Sequence, residues 1–383
     1  APEAMTAQPA AMDSVLQVKS PVIMRNMVGV TRNAGMRGQL LKTYGGNQKT
    51  EDAVMRALRW LKKNQLPDGS WPQNKAAMTG LAVLTFLAHG EIPGSTCPEF
   101  GETVRKGIEF LIRSQNAASG RISSSYSHAI ATYALCEAYG MTMNPNVKDA
   151  ADKAVYVLVN GQNPTGGWDY GLSPCERDDT SVAGWCSQAL KAAYLANAYF
   201  DTQALDAAMK KAVKGFIKNS SPSGGFGYTG PGAGGLSSVG TLCMLLLGAG
   251  NTPQVKNTQA LMDAWQPAFT PEQGGVGGNT QYYYYYATQA KFHSGGKRWD
   301  SWNDKMWPIY VKEQKIEKAA IADHEGELQD IGWWENADGS TDRPVMDTCL
   351  AALQLMVYYR NLPTTQEAAV RVDATLAAGA DTA

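Results

Sequence analysis

The stretch Gln162–Gly171, QNPTGGWDYG, decides the fold, because versions of it recur along the whole chain. The others read QLPDGSW (Gln65–Trp71), QNAASGRI (Gln115–Ile122), SSPSGGFGYTG (Ser220–Gly230), EQGGVGG (Glu272–Gly278) and GWWENADGS (Gly332–Ser340). Each sits between a charged, helix-like stretch and a second stretch of smaller, mostly apolar residues. Anchored on Trp71, Arg121, Trp168, Phe226, Val276 and Trp334, the steps are 50, 47, 58, 50 and 58 residues. Self-similarity at a period of about fifty residues means one supersecondary unit stacked on its own copies, since a lone helix pair cannot bury its apolar face.

The two helices of each unit differ in kind. In the first copy, Ala53–Gln65 (AVMRALRWLKKNQ) puts Val54, Leu58 and Leu61 on one face and Arg56, Arg59, Lys62 and Lys63 elsewhere, the pattern of a surface helix. The second helices, such as MTGLAVLTFLAHG and SSVGTLCMLLLGAG, are apolar nearly all round. A helix without a polar face has no solvent face. Six amphipathic helices alternating with six buried ones predict two concentric rings, an all-α (α/α)6 toroid spanning residues 49–362. Residues 1–48 read as a polar linker followed by an extended arm lying on the toroid, and 363–383 as a C-terminal tail.

Among the 383 residues, 34 Lys+Arg face 35 Asp+Glu, with no basic run. This excludes the clustered positive charge that a nucleic-acid groove needs. No apolar stretch approaches the roughly 20 residues of a membrane helix. The chain begins at Ala1 with a linker-like segment, which favours a secreted or periplasmic protein. Cys136, Cys186, Cys243 and Cys349 fall in second helices, where small apolar residues suit the interior, while Cys97 and Cys175 fall in loops. No CxxC is present.

The turns GSW, GGWDYG and GGFGYTG resemble the Gln–Trp repeats of squalene–hopene cyclases and the related repeats of protein prenyltransferase β subunits. The resemblance covers residues 49–362 and is identified with a bacterial branch of the prenyltransferase and squalene oxidase repeat proteins. It implies the toroid fold. It also implies that Gln65 with Trp71, and Gln162 with Trp168, are structural: the glutamine caps a helix end beside the Trp and ties neighbouring pairs together.

Within PCERDDTSVAGW (Pro174–Trp185), Glu176, Asp178 and Asp179 occupy the three acidic places of the Asp-x-Asp-Asp-Thr-Ala motif of class II terpenoid cyclases. The resemblance would make Asp178 the proton donor, a carboxyl kept protonated by burial and by like charge. Glu in the first place and Ser181 in the last depart from that motif. The same residues also read as a helix cap, Asp before Thr and Ser satisfying free backbone N–H groups. Met346–Asp347–Thr348 repeats the device in the sixth copy, which favours capping.

Cyclases of this kind use two α-barrel domains, and this chain builds one. Single toroids occur in protein prenyltransferases, but Asp347-Thr348-Cys349 supplies only half of their zinc motif and no His follows it. The Gly-Cys-Gly-Glu-Gln signature of thioester domains is absent, and ENADGSTD fails the calcium-loop pattern. The chain is therefore read as holding no metal and no cofactor. Asp323, His324, Glu325, Glu327 and Asp330 read as solvated surface.

Five consecutive tyrosines, Tyr282–Tyr286, cover every face of a helix, so at least two point into the centre. Aromatic walls stabilise cations and stack on sugar rings. Tyr126 and His128 join the same end and could form an acid–base pair. The candidate ligand-binding residues are thus Tyr126, His128, Tyr282, Tyr283, Tyr285 and Tyr286. Three functions fit: a non-catalytic toroid holding an apolar small molecule or glycan in its cavity or a protein partner on its rim, a class II cyclase-like enzyme using Asp178, and a carbohydrate-active lyase or hydrolase.

Overall fold

A computed structural model of the chain describes residues 31–335 and 344–360, apart from 275 and 277–278. Helix α1 (Ala34–Tyr44) precedes the repeats. Six pairs follow, each an outer and then an inner helix. They are α2 (Gln48–Lys63) with α3 (Lys75–His89), α4 (Gly101–Arg113) with α5 (Ser125–Thr142), and α6 (Pro145–Asn160) with α7 (Thr180–Ala196). After them come α8 (Thr202–Lys218) with α9 (Leu236–Leu246), α10 (Pro253–Met262) with α11 (Thr280–Ser294), and α12 (Gly296–Glu313) with α13 (Pro344–Leu355). Helix α14 (Val357–Arg360) is the last described element.

The inner helices α3, α5, α7, α9, α11 and α13 each pack on the next, and α13 packs back on α3. The ring is therefore closed, with α5 and α11 on opposite sides. Burial follows the sequence pattern. In α3 every residue from Ala76 to His89 is buried, whereas α2 buries one face, including Ala53, Val54, Ala57, Leu58 and Leu61.

The turns hold neighbouring pairs together. Gln65 Nε2 donates to Gly69 O in its own turn (3.0 Å) and to Thr103 O on the next outer helix (2.9 Å). Gln115 repeats this with Gly120 and Ala150, and Gln162 with Gly166 and Ala208. The buried indoles of Trp71, Trp168 and Trp334 donate to Leu61 O, Leu158 O and Tyr310 O. Gly69 (φ +86°) and Gly166 (φ +110°) take the left-handed conformation, and a Cβ there would lie 2.4 Å from Lys106 O and 2.0 Å from Lys211 O. Only glycine lets the turn touch the next outer helix this closely.

Two local expectations need correction. The arm is not wholly extended: Ala34–Tyr44 is a helix, begun by Asn33, whose side chain accepts from Met36 N, and ended by Gly45 at φ +84°. Only Leu40 and Leu41 are buried along it, so its apolar periodicity is too weak to read. Asp347 lies inside the first turn of α13, which begins at Pro344, and not at its cap. The sixth turn also carries an insertion, the antiparallel hairpin β1 (Lys315–Ala322) and β2 (Leu328–Trp333), paired from Lys315↔Trp333 to Ala322↔Leu328 with an irregularity between Glu317 and Ile321. Trp333 stacks on Trp60 of α2 at 6.2 Å. Residues 1–30, the tail 363–383 and the calcium-like residues 336–342 lie outside the described residues.

Candidate functional site

The N-terminal ends of the inner helices surround one opening of the ring, the mouth. Tyr126, in the first turn of α5, reaches Ser181 Oγ at the start of α7 (2.6 Å) and the Tyr170 hydroxyl (3.1 Å). The Tyr170 hydroxyl in turn lies 2.7 Å from that of Tyr228. Tyr170 and Tyr228 each stand two residues beyond the aromatic of a repeat turn, Trp168 and Phe226. The Arg177 guanidinium lies over both rings, 5.5 Å from Tyr170 and 5.2 Å from Tyr228. Ion pairs to Asp169 and Asp179 fix it there.

The result is a braced platform in which Tyr170 and Tyr228 remain 39% and 47% exposed. Partial burial, more than any other cause, pushes the Tyr170 hydroxyl up to about 12. The hydrogen bond with Tyr170, followed by partial burial, does the same for Tyr228. Both present neutral hydroxyls at neutral pH. The sequence reading named Tyr126 but missed Tyr170, Arg177 and Tyr228. The recurring offset of Tyr from the turn aromatic was the available signal.

Of the three acidic residues only Asp179 borders this opening, through its ion pair with Arg177. Glu176 is exposed on its loop. Asp178 is buried, and its carboxylate accepts from Asn163 Nδ2 (2.8 Å), Thr165 Oγ (2.8 Å) and Lys218 Nζ (2.9 Å). It thereby ties the third turn to the end of α8. Asp179 is the N-cap of α7, accepting from Ser181 N (2.9 Å) and Val182 N (3.1 Å), and it also meets Arg177.

His128 is used by the backbone at both ring nitrogens. Nδ1 accepts from Ile122 N (3.2 Å), and the proton this places on Nε2 is donated to Ala154 O (3.0 Å). Thr79 and Thr348 do the first task for Trp71 N and Trp334 N in other repeats. Burial takes the His128 imidazole down to about 4, so it stays neutral.

Of the tyrosine run, Tyr282 and Tyr283 are half-buried at the mouth. Tyr284 turns away and donates to Gln266 O (2.7 Å). Tyr285 and Tyr286 face the centre, each 3.1 Å from the Gln188 side chain on α7. Trp185 stacks on Tyr285 at 5.6 Å. Below them Arg360 bridges opposite sides of the ring, donating to Tyr133 on α5 (2.8 Å) and to Tyr285 on α11 (3.4 Å).

No family model matches the chain. Lanosterol synthase from Saccharomyces cerevisiae is 30% identical over 126 residues, a match that spans 30% of this chain and 17% of that enzyme. Among solved structures, a cellobiose 2-epimerase from Spirochaeta thermophila superposes with a TM-score of 0.57 at 12% identity, covering 85% of this chain and 99% of that one. An α-1,6-mannanase from Salegentibacter gives 0.55 at 10% identity, covering 82% and 99%. The type II terpene cyclase MstE from Scytonema gives 0.52 at 11% identity, covering 82% and 97%. The chain is an (α/α)6 toroid, similar in fold to all three. No helix among the described residues is long and apolar enough to cross a membrane.

Proposed function

We propose that this toroid is a binding protein rather than a catalyst, and that it holds its ligand on the tyrosine platform at the mouth. The observation that carries this reading is Arg360 on the ring axis, spanning Tyr133 and Tyr285 on opposite inner helices. With Trp185, Gln188 and Tyr286 it fills space that a cyclase would need for its substrate. A cyclase acid at Asp178 must also give up a proton, yet the three groups around that carboxylate are all donors. A lyase or hydrolase using Tyr126 and His128 needs a free imidazole nitrogen, and both are occupied.

The ligand class that suits the mouth is a neutral glycan. Exposed tyrosine rings offer faces for sugar C–H groups, and their linked hydroxyls offer hydrogen-bond partners. Bracing by Arg177 fixes the rings in advance, which reduces the ordering cost of binding. The test is to incubate the protein separately with squalene, manno-oligosaccharides and cello-oligosaccharides, following products by mass spectrometry and binding by tryptophan fluorescence. The expected result is no product, and a saturable response to an oligosaccharide that is lost in Tyr170→Ala and Tyr228→Ala. Turnover of any of these compounds, or a response unchanged in both variants, would overturn the proposal.

A further inference from the structure

The opposite opening of the ring, its base, is stoppered by two arginines from distant parts of the chain. Arg32 Nη1 donates to Leu87 O at the end of α3 (3.1 Å) and to Glu137 Oε2 on α5 (2.8 Å). Its Nη2 donates to Arg360 O (3.2 Å). Arg360, besides its bonds to Tyr133 and Tyr285, lies 4.0 Å from the other oxygen of Glu137. Each arginine is only 2% exposed.

Two observations there remain unbalanced. The first is charge. Beside the pair lies a second cluster in which Arg37 and His89 both meet Glu51 (each 3.0 Å) and His89 also meets Glu91 (2.8 Å). Both ring nitrogens of His89 face carboxylate oxygens, so both donate and the imidazole carries a charge. Among the described residues of the two clusters, Arg32, Arg37, Arg360 and His89 stand against Glu51, Glu91 and Glu137, four positive charges against three negative, which leaves one in excess. The rings of Tyr133 and Tyr285, 5.6 and 5.9 Å from the Arg360 guanidinium, soften that excess without cancelling it. The second is hydrogen bonding: the Nε–H groups of Arg32 and of Arg360 are both buried without a partner among the described residues. Native interiors rarely leave such donors unmatched, and an unpaired buried cation is more costly still. A water molecule would satisfy the N–H groups and leave the charge.

We infer that the base of the ring is an oxyanion site, in which a carboxylate or phosphate group is held by Arg32 and Arg360. Guanidinium groups are suited to these planar or tetrahedral oxygens, and a single negative charge balances the cluster.

The experiment melts the full-length protein in sodium phosphate, sodium acetate and sodium chloride at matched ionic strength, with phosphate affinity measured by calorimetry. A free-anion site raises the melting temperature in phosphate or acetate over chloride. Arg360→Gln, which removes the excess charge, weakens phosphate about tenfold or more, as loss of a charged donor implies. Glu137→Gln, which adds to the excess, enlarges the shift, and it decides the matter if Arg360→Gln does not fold. Melting of the wild type indifferent to the anion would overturn the site, as would a Glu137→Gln shift no larger than the wild type's. Glycan binding at the mouth is a separate measurement, so neither result decides the other.

Discussion

The side-chain amide of Gln314 donates to the carbonyl of Ala53 at 2.8 Å, joining residues 261 positions apart. It is the bond that Gln65, Gln115 and Gln162 make to the next outer helix, used here to join the last repeat to the first. Gln314 Oε1 also accepts from Arg56 (2.8 Å). Gln314→Ala should therefore lower stability by about 1–3 kcal/mol, since it strands a buried carbonyl and a guanidinium N–H. Denaturant unfolding reads this as a shifted midpoint, and an unmoved midpoint would refute the closing role.

Trp168 is fully buried and donates to Leu158 O (2.8 Å). Truncating it to Ala removes a wedge between two helix pairs and should cost about 3–5 kcal/mol. A loss below about 1 kcal/mol would mean that the turn aromatics fill space without joining the repeats.

The adjacent acids should respond in opposite ways to the same replacement. Asp179 is a helix cap, and Asn caps nearly as well as Asp, so Asp179→Asn should lose little while Asp179→Ala costs about 0.5–2 kcal/mol. Asp178 is surrounded by donors, so the amide of Asp178→Asn must set its own N–H groups against one of them, at about 1–3 kcal/mol. Equal losses for the two Asn variants would show that the two carboxylates do not have these distinct roles.

The base cluster makes stability depend on pH. Burial pulls the His89 imidazole down, but hydrogen bonds to Glu51 and Glu91 outweigh it and leave the group raised. A raised group stabilises the fold fully below its unfolded value of about 6.5, and that contribution is lost as pH climbs through the higher folded value. Glu51 runs the other way. Burial raises it, but His89, Arg37 and Tyr359 together hold it below the usual carboxylate range, so its contribution is lost as pH falls through that depressed value. Melting curves from mildly acidic to mildly alkaline pH should fall on the alkaline side for the wild type and stay flatter in His89→Gln. Parallel profiles would count against the doubly paired imidazole.

Cys136, Cys186, Cys243 and Cys349 are fully buried, whereas Cys97 and Cys175 are partly exposed. A thiol reagent should modify the latter pair in the native protein and the others only on unfolding. Rapid native labelling of Cys136, Cys186 or Cys243 would refute their place in the inner ring.

What could be read from sequence was what repeats locally. Trp71, Trp168, Gln65 and Gln162 lie a few residues apart in a fixed pattern, so their roles in the fold were legible. Gln314 was not, because the β1–β2 hairpin separates it from Trp334 by twenty residues instead of six. The mouth was half legible: Tyr126 stood out at a helix start, while Tyr170 and Tyr228 were hidden inside glycine-rich turns. The base was invisible. Arg32 meets Arg360 across 328 positions, and nothing in the residues around either arginine marks it as buried. Asp178 resembled a motif by spacing, yet spacing does not say which way a carboxylate faces.

A linear stack of repeats frays from its ends, where each terminal unit has a single neighbour and requires a polar cap. With α13 seated on α3, this molecule has no terminal unit. Releasing any one helix pair breaks two junctions at once, so no position on the circle is a free end from which unfolding can start. The same geometry frees the chain's starting point from the architecture. A permuted protein, opened at the exposed residues 94–96 of the loop between α3 and α4 and rejoined through a linker, would keep all six inner junctions.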